Sequence, residues 1–232
     1  MPIRGILFDL DGTLLDTAPD MGGALNELRA EHGRRPLPAF LIRHWVSNGA
    51  AALVRLGFVD AGPAEHERLR LRFLDLYAAR LARDTALFPG GEVLVAALES
   101  AGTPWGIVTN KPGWLAEPLL AALGLDRRAR IVVSGDTLAE KKPHPAPLLH
   151  AARALGVAAV DCAYVGDAER DMLAARSAGM CALVAAYGYI DPEEGYTDWP
   201  SDGVIASLDE LLPWVDARGA AWPAEFQGAG PP

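Results

Sequence analysis

The chain has 232 residues, 50% of them apolar, and a formal net charge of −9, which is enough for one large domain or a core with a smaller companion. The negative balance disfavours nucleic-acid and anionic-membrane partners, since both are bound through clustered Lys and Arg. Apolar runs such as Val157 to Val160 and Cys181 to Ala186 stop well short of the about 20 residues that cross a bilayer, so no membrane span is expected.

In chain order, Met1-Pro2-Ile3-Arg4 passes directly into an apolar segment, Gly5 to Phe8, with no small-residue cleavage site. The expectation is an untargeted, cytoplasmic protein. Gly5 to Phe8 reads as a buried strand, and Trp105 to Val108, Ile131 to Val133, Ala163 to Val165 and Ala182 to Val184 repeat the pattern. Helical segments separate most of the later strands. One opens at Pro112, reaches Leu123 and is closed by Gly124, and another is capped by Asp167 and runs toward Gly179. Alternating strands and helices predict an α/β fold with a parallel sheet.

Thr17 to Arg83 breaks that rhythm. Met21, Leu25 and Leu28 recur at i, i+4, i+7, as do Leu69, Phe73 and Leu76, which predicts a small helical bundle inserted between the first two strands. Arg34-Arg35-Pro36-Leu37-Pro38 supplies a turn within it and Phe88-Pro89-Gly90-Gly91 the return hinge. Gly219 to Pro232, rich in Ala, Gly and Pro, is expected to be a flexible tail. Cys162 and Cys181 lie in apolar strand-like segments and are expected to be reduced and buried.

The chemistry-bearing residues follow strands. Phe8-Asp9-Leu10-Asp11-Gly12-Thr13-Leu14 ends the first strand, at the carboxyl edge where open α/β sheets bind ligands. A bare Asp-x-Asp is as easily a solvated strand end, but here Gly12 permits a tight turn that aims backbone N–H groups at an anion, and Thr13 adds a hydroxyl. Ile107-Val108-Thr109-Asn110-Lys111-Pro112 ends the second strand. Lys141-Lys142-Pro143-His144-Pro145 offers a fixed cation, which a carboxylate nucleophile needs if it is to meet a phosphate. Tyr164-Val165-Gly166-Asp167-Ala168-Glu169-Arg170-Asp171 adds acids suited to a hard cation. The five histidines show no metal-ligand spacing, and there is neither a Cys-x-x-Cys, a Gly-x-Ser-x-Gly elbow nor a phosphate-binding Walker loop.

These four segments, in this order and over nearly the whole chain, resemble the motifs of the haloacid dehalogenase superfamily of phosphatases. The resemblance implies a Rossmann-like core of residues 1–16 and 84–218 with a helical cap at 17–83. It makes Asp9 the nucleophile that becomes an aspartyl-phosphate and Asp11 the acid and base. Thr109 and the N–H of Asn110 hold phosphoryl oxygens, Lys142 is the phosphate-binding cation, and Lys141 is peripheral. Mg²⁺ is held by Asp9, the backbone carbonyl of Asp11 and Asp167, with Asp171 assisting. Glu169 and Arg170 receive no role.

The cap of such proteins closes over the site and reads the leaving group. In it, Ile42-Arg43-His44-Trp45-Val46-Ser47-Asn48-Gly49 is either a plain helix connector or a specificity loop, in which Arg43 or the backbone near Asn48 and Gly49 binds a substrate carboxylate. Asp16-Thr17-Ala18-Pro19 and Tyr187-Gly188-Tyr189 are similar to bacterial phosphoglycolate phosphatases. Trp105-Gly106, Val46-Ser47 before Gly49-Ala50 and Tyr187-Gly188-Tyr189-Ile190 suit N-acetylmuramic acid 6-phosphate phosphatases at least as well, and Ser47 stands where the first group tends to have Gly. The expected partner is a small phosphorylated metabolite, and the expected state a monomer or homodimer. A dehalogenase, a phosphosugar mutase and a non-catalytic domain are the competing readings. Asp11, Asp167 and Asp171 argue against the first and the intact acids against the last.

Overall fold

The computed structural model describes residues 2–193 and 195–218. The expected flexible tail at 219–232 lies outside the described residues. Strand β1 (Gly5–Phe8) is buried at all four positions, as befits a strand with neighbours on both edges and helices over both faces. A two-residue strand β2 (Leu15–Asp16) follows, then helices α1 (Ala18–Glu31), α2 (Ala39–Arg43), α3 (Gly49–Gly57) and α4 (Pro63–Ala78). The chain returns through β3 (Ala86–Leu87), which pairs antiparallel with β2 in a two-stranded ribbon, Leu15 opposite Leu87 and Asp16 opposite Ala86.

The remaining elements alternate as far as β7 and then add a further strand and helix: α5 (Gly91–Ser100), β4 (Trp105–Val108), α6 (Gly113–Ala122), β5 (Ile131–Val133), α7 (Ala146–Leu155), β6 (Cys162–Gly166), α8 (Glu169–Ser177), β7 (Cys181–Ala185), β8 (Gly203–Ile205) and α9 (Leu211–Asp216). The sheet is parallel throughout, in the order β5-β4-β1-β6-β7-β8. Strands β4 and β6 therefore flank β1, with Phe8 in register with both Ile107 and Val165. The loops after these three strands open side by side at a topological switch point.

Successive strand residues point to opposite faces, so Ile6 and Phe8 join the apolar layer of α5, α6 and α9, while Leu7 joins that of α7 and α8. Phe8 is fully buried and meets the Trp105 ring edge-on at 6.3 Å. Burial of such a side chain contributes about 1.5–3 kcal/mol. The two predicted stripes, Met21/Leu25/Leu28 on α1 and Leu69/Phe73/Leu76 on α4, are buried against one another's helices. Buried Asp20 of α1 ties this bundle to the return crossing by accepting the backbone N–H and the hydroxyl of Thr85 and the N–H of Asp84. Among the described residues no helix is long and apolar enough to cross a membrane.

Three expectations change. The ribbon and β8 were not expected, because two- and three-residue strands are too short to carry a period; β8 even exposes its central Val204. Asp167 does not cap α8, which starts at Glu169. The Ala168 N–H is instead taken by Asp171 Oδ2 at 3.1 Å, freeing Asp167 for other contacts. Cys162 is buried, its thiol pushed up to about 12 by burial, but Cys181 at the start of β7 is only half-buried.

Candidate active site

Asp9 follows β1, Thr109 follows β4 and Asp167 follows β6, so the switch point gathers the motif residues although they lie far apart in sequence. Lys142, 2% exposed, reaches the same place from the β5–α7 connection. Its Nζ lies 2.7 Å from Asp9 Oδ1 and 2.8 Å from Asp171 Oδ1, and it donates to Tyr164 Oη at 2.7 Å. Tyr164 donates in turn to the Val108 carbonyl at 2.8 Å, which fixes the lysine against the end of β4. The Asn110 amide brackets the Lys142 backbone, donating to its carbonyl at 2.9 Å and accepting its N–H at 3.1 Å. Asn110 therefore shapes the lysine loop as well as lining the cavity.

Asp9, Asp167 and Asp171 form a buried group in which one carboxylate oxygen from each lies within 4.8 Å of the other two. Burial pushes the Asp9 carboxyl up, against the pull of Lys142 and with the push of Asp171. Asp167 is pushed up to about 7 by burial, then by Asp9 and Asp171. Three acids crowded beside Lys142 and Arg170 still leave an excess of negative charge, and an all-oxygen set is the donor chemistry of a hard divalent cation. The residues therefore fit such an ion. Gly12, at a positive φ of 85°, passes so close that a Cβ there would collide with the Asp167 carboxylate, which explains the glycine.

The Asp11 side chain turns away from this group. Its Oδ1 accepts the Thr17 hydroxyl at 2.7 Å and Lys111 Nζ at 2.8 Å. Lys111 is buried, with its ammonium 4.6 Å above the Tyr77 ring of α4. Burial opposes its charge, but Asp11 and Tyr77 outweigh that and raise its pKa.

A cavity of about 470 Å³ opens over these groups. Asp9, Asp11, Thr109, Asn110 and Lys111 line the sheet side, and Ser47, Asn48, Gly49 and Arg70 line the helical side. The first turn of α3 faces the cavity, but the Asn48 and Gly49 N–H groups expected to meet a carboxylate donate to the Trp45 and Val46 carbonyls, so an anion would be received by those of Ala50 and Ala51. Arg43 is not among the lining residues. Its guanidinium holds both oxygens of Asp16 at 3.0 Å and covers the Tyr189 ring at 4.7 Å. The cap cation in the cavity is Arg70, half-buried and paired with Glu67.

Sequence reasoning missed Arg70, Lys111 and Arg170. Arg70, Leu74 and Tyr77 recur at i, i+4, i+7 beside the apolar stripe of α4, a second face that was legible. Lys111 stood inside a recognised motif without a role. Arg170 donates to the Ser47 carbonyl at 2.6 Å; burial works against its charge, and Asp171, Asp9 and Asp167 prevail.

The description "haloacid dehalogenase-like hydrolase" matches residues 3–179. The chain is 46% identical over 220 residues to a phosphoglycolate phosphatase of Xanthomonas campestris pv. campestris, covering 95% of this chain and 97% of the relative. It is 40% identical to an N-acetylmuramic acid 6-phosphate phosphatase of Pseudomonas aeruginosa, over 93% of this chain and 96% of that one. The crystal structure of a predicted phosphoglycolate phosphatase from Haemophilus somnus superposes with a TM-score of 0.80 at 27% identity, covering 91% of this chain and 97% of the other.

Proposed function

The chain belongs to the haloacid dehalogenase-like hydrolases, and from that premise we propose that this phosphoric monoester hydrolase acts on a small phosphate monoester bearing a carboxylate, with 2-phosphoglycolate the leading substrate. One observation carries the reading: the Asp9–Asp11 loop and the anion-receiving face made by the α3 N-terminus and Arg70 line the same cavity. A phosphate seated at Asp9 leaves a carboxylate on the leaving group free to meet that second positive face. The 46% identity to the Xanthomonas phosphoglycolate phosphatase supports the choice.

In this reading an oxygen of Asp9 attacks phosphorus, the bond to the leaving oxygen breaks, and Asp11 supplies the proton that oxygen needs. Water then attacks the aspartyl-phosphate, Asp11 takes its proton, and inorganic phosphate departs as Asp9 is regenerated. Lys142 offsets the repulsion between Asp9 and the incoming phosphate, and Thr109 and the Asn110 N–H hold its oxygens. Mg²⁺, held by Asp9, Asp167, Asp171 and the Asp11 carbonyl, would supply further charge neutralisation. Residues 17–83 act as the cap that excludes water and reads the leaving group, and the working site is cytoplasmic.

A second substrate, N-acetylmuramic acid 6-phosphate, is favoured by the size and walls of the cavity. Its about 470 Å³ lies within the roughly 300–1,000 Å³ of sites that take drug-sized ligands. Met21, Val46, Leu74 and Leu115 give it an apolar wall that glycolate alone would not use. Phosphate release from purified protein against 2-phosphoglycolate, N-acetylmuramic acid 6-phosphate, carboxylate-free sugar phosphates and nucleotides tests the proposal. The highest kcat/KM is expected on one of the two carboxylates, and a preference for a carboxylate-free ester overturns it.

A further inference from the structure

Ser47 belongs to the helical segment, yet its side chain lies on the carboxylate group of the core. Its hydroxyl donates to Asp167 Oδ2 at 2.7 Å and stands 3.4 Å from the backbone carbonyl oxygen of Asp11. The Tyr189 N–H donates to the same Oδ2 at 2.9 Å. Among the described residues, Oδ1 of Asp167 has in contrast only the Thr13 hydroxyl at 3.5 Å, the outer limit of a hydrogen bond. One oxygen of this carboxylate is thus saturated and the other is free to ligate. Arg170 in the first turn of α8 grips the Ser47 carbonyl at 2.6 Å, so the serine is held through its hydroxyl by Asp167 and through its carbonyl by the helix that follows it.

We propose that Ser47 is a positioning residue for the divalent cation: its hydroxyl fixes the rotation of Asp167 and so links cation binding to docking of the 46–49 loop on the core. This rests on the cation part of the proposed function and not on the choice of substrate. Donors that orient a ligating group commonly set affinity by 10–100-fold. Linkage requires the converse as well, that a bound cation tighten the loop by the same factor as the docked loop tightens the cation. The adjacent ties, His44 Nδ1 to the Ile190 carbonyl at 2.9 Å and Arg43 to Asp16, do not touch the carboxylate group and are not expected to report on the cation.

The test is calorimetric titration of the substrate-free protein with Mg²⁺, paired with hydrogen exchange of residues 46–50. Ser47→Ala is expected to bind Mg²⁺ about 10–100-fold more weakly, and Ser47→Thr, which keeps the hydroxyl, to bind close to the parent. Mg²⁺ should slow exchange at 46–50 in the parent and not in Ser47→Ala. Affinity in Ser47→Ala equal to or tighter than the parent overturns the proposal, as does equal slowing in both proteins. Those results leave the phosphatase reading untouched. Absence of Mg²⁺ binding to the parent would overturn this proposal and the Mg²⁺ assignment together, while the substrate panel would still stand.

Discussion

Lys111 Nζ stands 2.8 Å from Asp11 Oδ1, and the Thr17 hydroxyl reaches the same oxygen at 2.7 Å. The proposed acid–base group is thereby held at the cavity edge by one residue of each side, Lys111 after β4 and Thr17 before α1. Asparagine at position 11 retains an acceptor for both donors and the backbone carbonyl, but it cannot exchange a proton. Asp11→Asn should lose on the order of 10²–10⁴-fold in kcat on alkoxide-leaving substrates. With nitrophenyl phosphate, whose leaving group needs no proton, rapid mixing should show a burst of nitrophenol followed by slow turnover. Equal loss of burst and steady state would make Asp11 a geometric support only.

Lys142 and Lys141 are neighbours with opposite expectations. Lys142 is buried against Asp9 and Asp171, whereas Lys141 is exposed on the cavity rim. Removing one partner of a buried ionic group leaves uncompensated charge and costs about 3–5 kcal/mol, so Lys142→Ala should lose about that much stability in chelator as well as phosphate transfer. Lys141→Ala, a surface change, should stay within about 0.5 kcal/mol of the parent. Denaturant titrations of both variants check this, and parent-like stability in Lys142→Ala would contradict the ion-pair account.

The raised Asp167 sets a pH dependence with a definite sign. Its carboxyl lies at about 7 in the fold against the ordinary 3.8 of the unfolded chain, so between those values the folded protein binds more protons than the unfolded chain. Without a divalent cation this group's contribution to stability therefore falls as pH rises through that window. A cation that needs the ionised carboxylate must displace the proton, so Mg²⁺ affinity should climb with pH up to about 7. Calorimetry in buffers of different ionisation enthalpy should detect proton release below that pH. An affinity independent of pH between about 5 and about 8, a span that brackets the raised value, would contradict it.

The motifs were legible because each follows a strand whose continuous apolar run is hard to read otherwise: Asp9 after Gly5–Phe8, Thr109 after Trp105–Val108 and Asp167 after Cys162–Gly166. The helical insertion was legible from its stripes on α1 and α4. The side-chain partners across the cavity were not. Arg43 and Arg70 each lie among apolar residues of a cap helix, and their different places, Arg70 at the cavity and Arg43 on Asp16, follow from how the helices pack and not from any local pattern. Lys111, Arg170 and Ser47 act through contacts with residues distant in the chain, as in the 120-residue separation of Ser47 and Asp167, which no local period records. The β2–β3 ribbon escaped for the opposite reason, being too short to have a pattern.

Asp9 carries the central claim, that phosphoryl transfer passes through its carboxylate. Acid quenching during steady turnover of the substrate found in the panel, followed by borohydride reduction, converts an aspartyl-phosphate into homoserine that peptide mass spectrometry locates. The account predicts homoserine at position 9 in the parent, at a level that rises in Asp11→Asn as breakdown slows, and none in the inactive but folded Asp9→Asn. Homoserine at another acid, or turnover retained by Asp9→Asn, would contradict it.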